Sequence, residues 1–406
     1  MTYPQIKLDE AFWFQEGPGV RNWQFTDQGI KLLNVGNILK TGAIDLAKTD
    51  RHLSEDEVKE RYSHFLADAG DLVIASSGIS IDADELLTTR GAFIEEQHLP
   101  LCMNTSTIRF KAVEGASDLR FLKHWLQSHE FRLQITREVT GIAQKNFGPS
   151  HLKRLRVSLP PLAEQKRIAG ILDAADRLRA KRRESLAQLD TLLQSTFLDM
   201  FGDPVTNPRR WEEQNFGLLA RGSFRNGLSP STNGLVDGEV LTLSAITRGR
   251  FDFGERKSAH FDKIPSASQM LSVDTFLICR GNGNKQLVGA GEFPDRGSDR
   301  VCFPDTMIGV TVDPKVLTAA YLRSVWSSRR VRTQIERGAR TTNGTHKVNQ
   351  QVLSSVVFPL PPPDLQRRFA AIVESIEQQK IRQLAHLAEL DTLFASLQSR
   401  AFRGDL

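Results

Sequence analysis

Leu159-Pro160-Pro161-Leu162-Ala163-Glu164-Gln165-Lys166-Arg167-Ile168 returns 201 residues later as Leu360-Pro361-Pro362-Pro363-Asp364-Leu365-Gln366-Arg367-Arg368-Phe369. In both places the prolines break what precedes them and then open a helix, because a fixed φ and a missing N–H suit the first helical turn and nothing deeper. Beyond Gly170 the first run meets no Gly or Pro before Gly202, and the second meets none before Gly404. Ala163 to Phe201 is 39 residues, a helix of about 58 Å at 1.5 Å per residue.

Apolar residues recur along both runs in steps of three and four. They are Ile168, Ile171, Ala175, Leu178, Leu186, Leu189, Leu193 and Met200 in the first, and Phe369, Ile372, Ile376, Leu387, Leu390, Phe394, Leu397 and Ala401 in the second. The middle is polar in each, with Arg182 in one and Gln379 and Gln383 in the other. This is a coiled-coil seam, and a helix this long with one apolar stripe needs a partner. The partner expected is the equivalent helix of the same chain, packed antiparallel with a globular domain at either end. The alternative is that each helix folds back on its own domain.

Working outward, the whole chain repeats. At a shift of 200, Phe121-Leu122 falls on Tyr321-Leu322, Gln134-Ile135 on Gln334-Ile335, and Cys102 on Cys302. At 201, Leu189-Asp190-Thr191-Leu192 falls on Leu390-Asp391-Thr392-Leu393 and Phe201 on Phe402. Near the start of each half the register drifts to 208, where Asn34-Val35-Gly36-Asn37-Ile38 resembles Thr242-Leu243-Ser244-Ala245-Ile246. A duplicated unit of about 200 residues is the reading, since a fixed period marks a repeated structural unit.

The part of each copy before the prolines mixes strands and helices. Leu72-Val73-Ile74-Ala75 and Phe276-Leu277-Ile278-Cys279 read as buried strands, and Leu119 to Ile135 and Leu317 to Ile335 as amphipathic helices. The expected architecture is α+β: two similar α/β domains (1–157 and 202–358) separated by a pair of long antiparallel coiled-coil helices (158–201 and 359–406), a pseudo-two-fold internal repeat.

The 406 residues are 40% hydrophobic and 25% charged, with a net charge of +5, ordinary for a globular protein. No apolar run approaches the roughly 18–20 residues that span a bilayer, and residues 1–7 lack a signal-peptide core. A cytoplasmic protein with no membrane partner is expected. Cys102, Cys279 and Cys302 include no CxxC pair and read as buried thiols.

Two heads on one spacer fit the local two-fold symmetry of a DNA duplex, and because the heads differ, so should the half-sites. The local charge agrees. Arg323, Arg329, Arg330, Arg332, Arg337, Arg340 and Lys347 crowd one stretch of the second copy, and Arg132, Arg137, Lys145, Lys153, Arg154 and Arg156 the matching stretch of the first. Such clusters neutralise phosphates. Side chains able to pair with base edges sit among them: Gln144, Lys145 and Asn146 in one copy, Thr341, Thr342, Asn343, Thr345 and His346 in the other. A second candidate loop follows each buried strand, with Ser76, Ser77 and Ser80 in copy one and Arg280, Asn282, Asn284 and Lys285 in copy two.

Motifs for chemistry are missing. Gly281-Asn282-Gly283-Asn284-Lys285 lacks the spacer and the hydroxyl residue of a phosphate loop, and no GxSxG, HExxH or CxxC occurs. Asn207-Pro208 continues as Arg209-Arg210, not as the Asn-Pro-Pro-aromatic tetrad of amino-methyltransferases.

The decisive stretch resembles the "LPPLxEQxxI" start of the central helix in type I restriction–modification specificity subunits. Gly70-Asp71-Leu72-Val73-Ile74 resembles that family's target-recognition-domain motif, and Ser399 to Leu406 its usual chain end. Copy two departs from the pattern, with Leu365 in place of the Glu and Pro363 in place of Leu162. The resemblance implies a non-catalytic, sequence-specific subunit whose two domains each read half of an asymmetric bipartite site in double-stranded DNA. It implies two methylation subunits that N6-methylate adenine, docked on the helices, with Glu164, Gln165, Arg167, Ile168, Gln366, Arg368 and Phe369 as partner-docking or spacer-helix residues, and a motor–nuclease subunit for restriction. S-adenosylmethionine, ATP and magnesium would then belong to those partners, with no cofactor on this chain. The residues alone also admit a stand-alone DNA-binding regulator, or an adaptor whose basic clusters are incidental.

Overall fold

The computed structural model describes residues 3–139, 145–342 and 344–406. The chain divides into two compact units, Met1–Arg183 with Ala385–Leu406, and Glu184–Leu384. The two cuts fall within the long helices, Leu162–Phe201 and Pro363–Arg403.

In the first unit a four-stranded antiparallel sheet has the order Phe12–Glu16, Thr107–Ala112, Leu72–Ala75, Gly91–Phe93. Leu72–Ala75 is apolar throughout because both its faces are buried. Leu72 and Ile74 enter one cluster with Trp125 and Phe131, and Val73 enters another with Ala92 and Leu101, the alternation a pleated strand imposes. The second unit repeats this with Arg225–Asn226, Met307–Thr311, Thr275–Cys279 and Gly291–Glu292. There Phe276 and Ile278 face one core and Leu277 and Cys279 the other. A smaller sheet lies beside each, built on a parallel pairing of Lys31 with Leu101 in one unit and of Val240 with Cys302 in the other. All three cysteines are free and buried.

The single amphipathic helix expected in each copy is two helices. Leu119–Trp125 gives way to His129–Glu138, and Ala319–Trp326 to Arg329–Gly338. Ser128 starts the new helix, its hydroxyl accepting from the Phe131 N–H at 3.2 Å. A serine that caps the orphan N–H groups of a new turn competes with helix continuation. The period-3.6 pattern runs through this corner and so hides it.

Each domain's first strand pairs with its last, Gln5–Lys7 with Arg156–Ser158 and Glu213–Asn215 with Val357–Pro359. This delivers the chain to the prolines beside its own core. There Gln165 acts as a lock. Wholly buried, its Oε1 accepts from the Asp118 N–H (2.9 Å) while its Nε2 donates to the carbonyls of Ala116 (2.9 Å) and Pro160 (2.8 Å). Gln366 does the same for Thr318, Val316 and Pro361.

Within each unit, half of one long helix runs antiparallel to half of the other. In the first, Arg167 reaches the Leu406 carbonyl (2.7 Å) while Arg179 binds Asp391 (2.6 Å). Phe402 meets Phe121 edge-on with centroids 5.4 Å apart. In the second, Lys380 binds Asp190 (2.9 Å), and Phe201 packs on Tyr321 and Phe369 at 4.9 and 5.3 Å. The ion groups correspond through the repeat. Arg179 joins Asp176 and Asp391 in one unit, as Lys380 joins Glu377 and Asp190 in the other. Each helix start also packs on its own domain, Ile168 and Leu172 with Phe12 and Trp125. Inside each unit, then, a long helix packs both on its counterpart helix and on the unit's own domain.

The seam differs from the expected one at two places. Leu178 is 55% exposed and Ile372 is 39% exposed. Val373, next to Ile372, packs on the core instead, as its repeat equivalent Leu172 does in the first unit, and Arg179, next to Leu178, lies 4.3 Å over the Phe394 ring. An arginine stem and its planar head can occupy a half-buried aromatic contact, which a hydrophobic count does not register. Among the described residues no helix is long and apolar enough to cross a membrane.

Candidate nucleic-acid interface

In the second unit the strand Thr275–Cys279 leaves the sheet at Arg280. The Arg280 N–H donates to the Thr306 carbonyl (2.8 Å), and its own carbonyl accepts from the Val348 N–H (2.9 Å). That bond ties together two stretches 60-odd residues apart. They form a three-stranded sheet in the order Gly281–Asn282, Thr345–Lys347, Arg340–Thr342. Thr342 pairs with Thr345, and Gly344, just before Thr345, has φ +73°, in the left-handed region that favours glycine. Asn343 lies outside the described residues.

Register gives the ribbon two unlike faces. Arg340, Lys347 and Gly281 stand opposite one another. A Cβ at Gly281 would come 3.1 Å from the Lys347 Cγ, so glycine leaves that face to the two cations. On the other face Thr341, His346 and Asn282 align, with Thr341 Oγ1 and His346 Nδ1 3.0 Å apart.

Like charges directly opposite destabilise a strand pair. Among the described residues no carboxylate pairs with Arg340, Lys347 or the exposed Arg337 and Lys285. Arg329 is exposed, whereas the other three arginines of the cluster are committed internally. Arg323 binds Glu292 (2.6 Å), Arg330 binds Glu213 (2.7 Å), and Arg332 donates to the carbonyls of Val288 (2.7 Å) and Gln286 (3.0 Å). Burial pushes the Glu292 carboxyl above its ordinary range, against the pull of Arg323. Arg280 is half-buried and donates to the Asp305 carbonyl (3.2 Å). The Asn282 and Asn284 side-chain oxygens accept from the N–H groups of Asn284 (2.8 Å) and Gln286 (3.0 Å), which shapes the loop.

The first unit repeats the frame with different side chains. The Ser76 N–H donates to Ser106 (3.0 Å), and the Phe147 N–H to Ser76 (3.1 Å), so the two candidate segments meet here as well. Ser76 itself is 2% exposed and turned inward, Ser77 is half-buried, and Ser80, Lys145 and Asn146 are exposed. Gln144 lies outside the described residues. Of the basic residues, Arg132 binds Asp82 (2.5 Å), Arg154 binds Glu138 and Arg156 donates to the Gln5 carbonyl (3.2 Å). Arg137, Lys145 and Lys153 are exposed.

Of the helix residues expected to dock partners, Gln165, Ile168, Gln366 and Phe369 are wholly buried and act inside their own units. Glu164 and Arg167 pair with each other on the surface (2.7 Å), and the Arg167 guanidinium holds the Glu164 carboxyl below its usual range. Arg368 is exposed.

One group near the ribbon is not apparent from the sequence. Asn226 pairs with Ile308 at the same end of the main sheet and accepts from Gln350 Nε2 at 3.2 Å, while Arg225 donates to Ser268 (2.7 Å). No local motif marks these residues, and strand register alone brings them to the ribbon's base.

The surface so assembled can neutralise phosphates with one face of a ribbon and offer hydrogen bonds with the other. A two-stranded ribbon fits the DNA major groove.

Residues 30–189 match the family model described as the type I restriction modification DNA specificity domain. The chain is 26% identical over 307 residues to the type I restriction enzyme EcoKI specificity subunit of Escherichia coli K12, and 25% identical over 307 residues to the StySPI specificity subunit of Salmonella potsdam. Each match spans 70% of this chain and 65% of the relative's length. Two solved structures share the fold over nearly the whole chain. One comes from work on complex assembly and conformational transition of the type I R-M system (TM-score 0.56, 16% identity, 100% of this chain and 98% of that one). The other is the type I restriction–modification S subunit from M. genitalium (TM-score 0.54, 14% identity, 99% and 96%).

Proposed function

We propose, for a chain related to the type I restriction–modification specificity subunits, that it is the DNA-reading subunit of such a complex and holds no catalytic centre of its own. One observation carries this reading. The Arg340–Lys347 ribbon sets two cations opposite each other with no acid paired to them among the described residues, a cost in the free protein that a phosphate would relieve. Each unit would read one half of an asymmetric bipartite site, by way of residues 76–80 and 144–146 in one and 280–285 and 337–347 in the other. Phosphate contacts would set register and the polar face would supply base contacts. The long helices would set the gap between half-sites and dock two methylation subunits that flip and N6-methylate adenine, through exposed residues such as Arg368 and the Glu164–Arg167 pair. A motor–nuclease subunit would add restriction. S-adenosylmethionine, ATP and magnesium would sit on those partners, in the cytoplasm.

The test is a domain exchange. Residues 202–358 are replaced by those of another member of the family, the chain is co-expressed with its methylation subunits, and the methylated motif is sequenced. One half of the motif should change and the other persist. Change in both halves, or in neither, refutes the assignment. Tight sequence-specific binding by the isolated chain, undiminished without methylation subunits, would instead favour a stand-alone regulator.

A further inference from the structure

Register across the main sheets identifies a pair of equivalent positions that no constant sequence shift reveals. Glu16 pairs with Ile108 in the first unit, and Asn226 with Ile308 in the second. A glycine follows each, and its N–H donates to the next residue back on the central strand: Gly17 to Thr107 (3.1 Å) and Gly227 to Met307 (3.1 Å). Both glycines are required by close approach. A Cβ on Gly17 would lie 2.4 Å from the Asn104 backbone, and one on Gly227 2.1 Å from the Phe303 carbonyl oxygen. The equivalence therefore rests on backbone bonds and packing, at an offset of 210, while the flanking scaffold runs at 200 to 208.

Both positions occupy the floor between the two candidate reading segments. The carboxylate of Glu16 lies over Gly148, 3.6 Å from where a Cβ would stand, next to Lys145-Asn146-Phe147 and so to Ser76. Asn226 touches Gln350, next to Lys347-Val348 and so to Arg280. Glu16 is half-buried, and among the described residues its carboxylate has neither a hydrogen-bond nor an ion-pair partner. Desolvation lifts its pKa, with no cation or donor to offset the loss of water. A carboxylate is repelled by phosphate, so facing DNA it suits base edges and not the backbone. It accepts only, and the major-groove donors are the exocyclic amino groups of cytosine and adenine. Asn226 offers both a donor and an acceptor.

We propose that this position determines sequence specificity in each half: Glu16 accepts a hydrogen bond from the exocyclic amino group of a cytosine or adenine in the first half-site, and Asn226 reads the corresponding base in the second. The inference rests on the DNA-reading function proposed above. Its test uses the assembled complex: the chain with Glu16→Gln, and separately with Asn226→Asp, each co-expressed with the methylation subunits, followed by sequencing of the methylated motif.

Glu16→Gln should change or relax one base of one half-site, a C or an A on the strand read, with discrimination falling about tenfold, and Asn226→Asp should do so in the other half only. An unchanged motif at unchanged efficiency overturns the proposal. So does a loss of methylation spread evenly over all motif positions, which marks a structural role. Absence of any motif with the unsubstituted chain would sink the DNA-reading function itself, a distinct outcome.

Discussion

Replacing Gln165 by Ala separates a structural lock from a docking residue. The side chain is wholly buried and satisfies three backbone groups: the Asp118 N–H at 2.9 Å, the Ala116 carbonyl at 2.9 Å and the Pro160 carbonyl at 2.8 Å. Truncation orphans all three at a position that is wholly buried. At about 1–2 kcal/mol for each orphaned group, the loss sums to about 3–6 kcal/mol. Glu at this position should do no better, because its second oxygen would face two carbonyls where an NH2 now donates. The chain comprises two compact units, so one melting temperature does not describe it. The assay is hydrogen exchange read by mass spectrometry on the full chain. Gln165→Ala should lose protection at 116–118 and along the first turns after 162, while 316–318 keeps its protection. Gln366→Ala should show the converse. If Gln165→Ala leaves exchange unchanged to within about 1 kcal/mol and still abolishes assembly with methylation subunits, the lock is refuted and the residue is a docking contact.

Arg340→Ala and Lys347→Ala should each weaken DNA binding about equally on all sequences and lower the salt slope by about one, measured by titration of the assembled complex at two salt concentrations; a change of target base instead would contradict the phosphate role. Asp173 sets a pH limit. Burial raises its carboxyl, but the hydrogen bond and charge of His124, with Arg120 and Lys123, outweigh that and leave it below its ordinary value. A depressed folded-state pKa means stability present above the unfolded value of about 3.9 and lost as pH falls through the folded one. Asp173→Asn should therefore lower the first unit's stability at neutral pH and flatten its acid limb. An unchanged acid limb in hydrogen exchange between neutral pH and pH 3 would rule this out.

Helix, repeat and strand identity were legible because each is written locally. The prolines, with a three–four seam on either side of a polar middle, specify the long helices, and Leu72–Ala75 and Phe276–Cys279 specify strands by their unbroken apolar runs. The seam misled at Leu178 and Ile372, where Arg179 and Val373 take the inward place. A three–four count follows hydrophobicity and overlooks a half-buried guanidinium over the Phe394 ring. The docking-or-spacer reading of Gln165 and Gln366 likewise left open where their amides go, and their chemistry is spent on backbone groups inside each unit.

By itself the sequence determined that the chain is one unit written twice, that each copy ends in a helix of about 40 residues, and that the two copies differ most in loops rich in Arg, Asn and Gln. These are properties of period and composition, which neighbours along the chain enforce. Only the tertiary structure decided which of those loop residues face outward together. Arg340 opposes Lys347, Arg280 is tied to Val348, and Glu16 answers to Asn226 because strand register joins segments far apart in sequence. A one-residue slip in register would reverse every face, and no local signal records which register long-range packing selects.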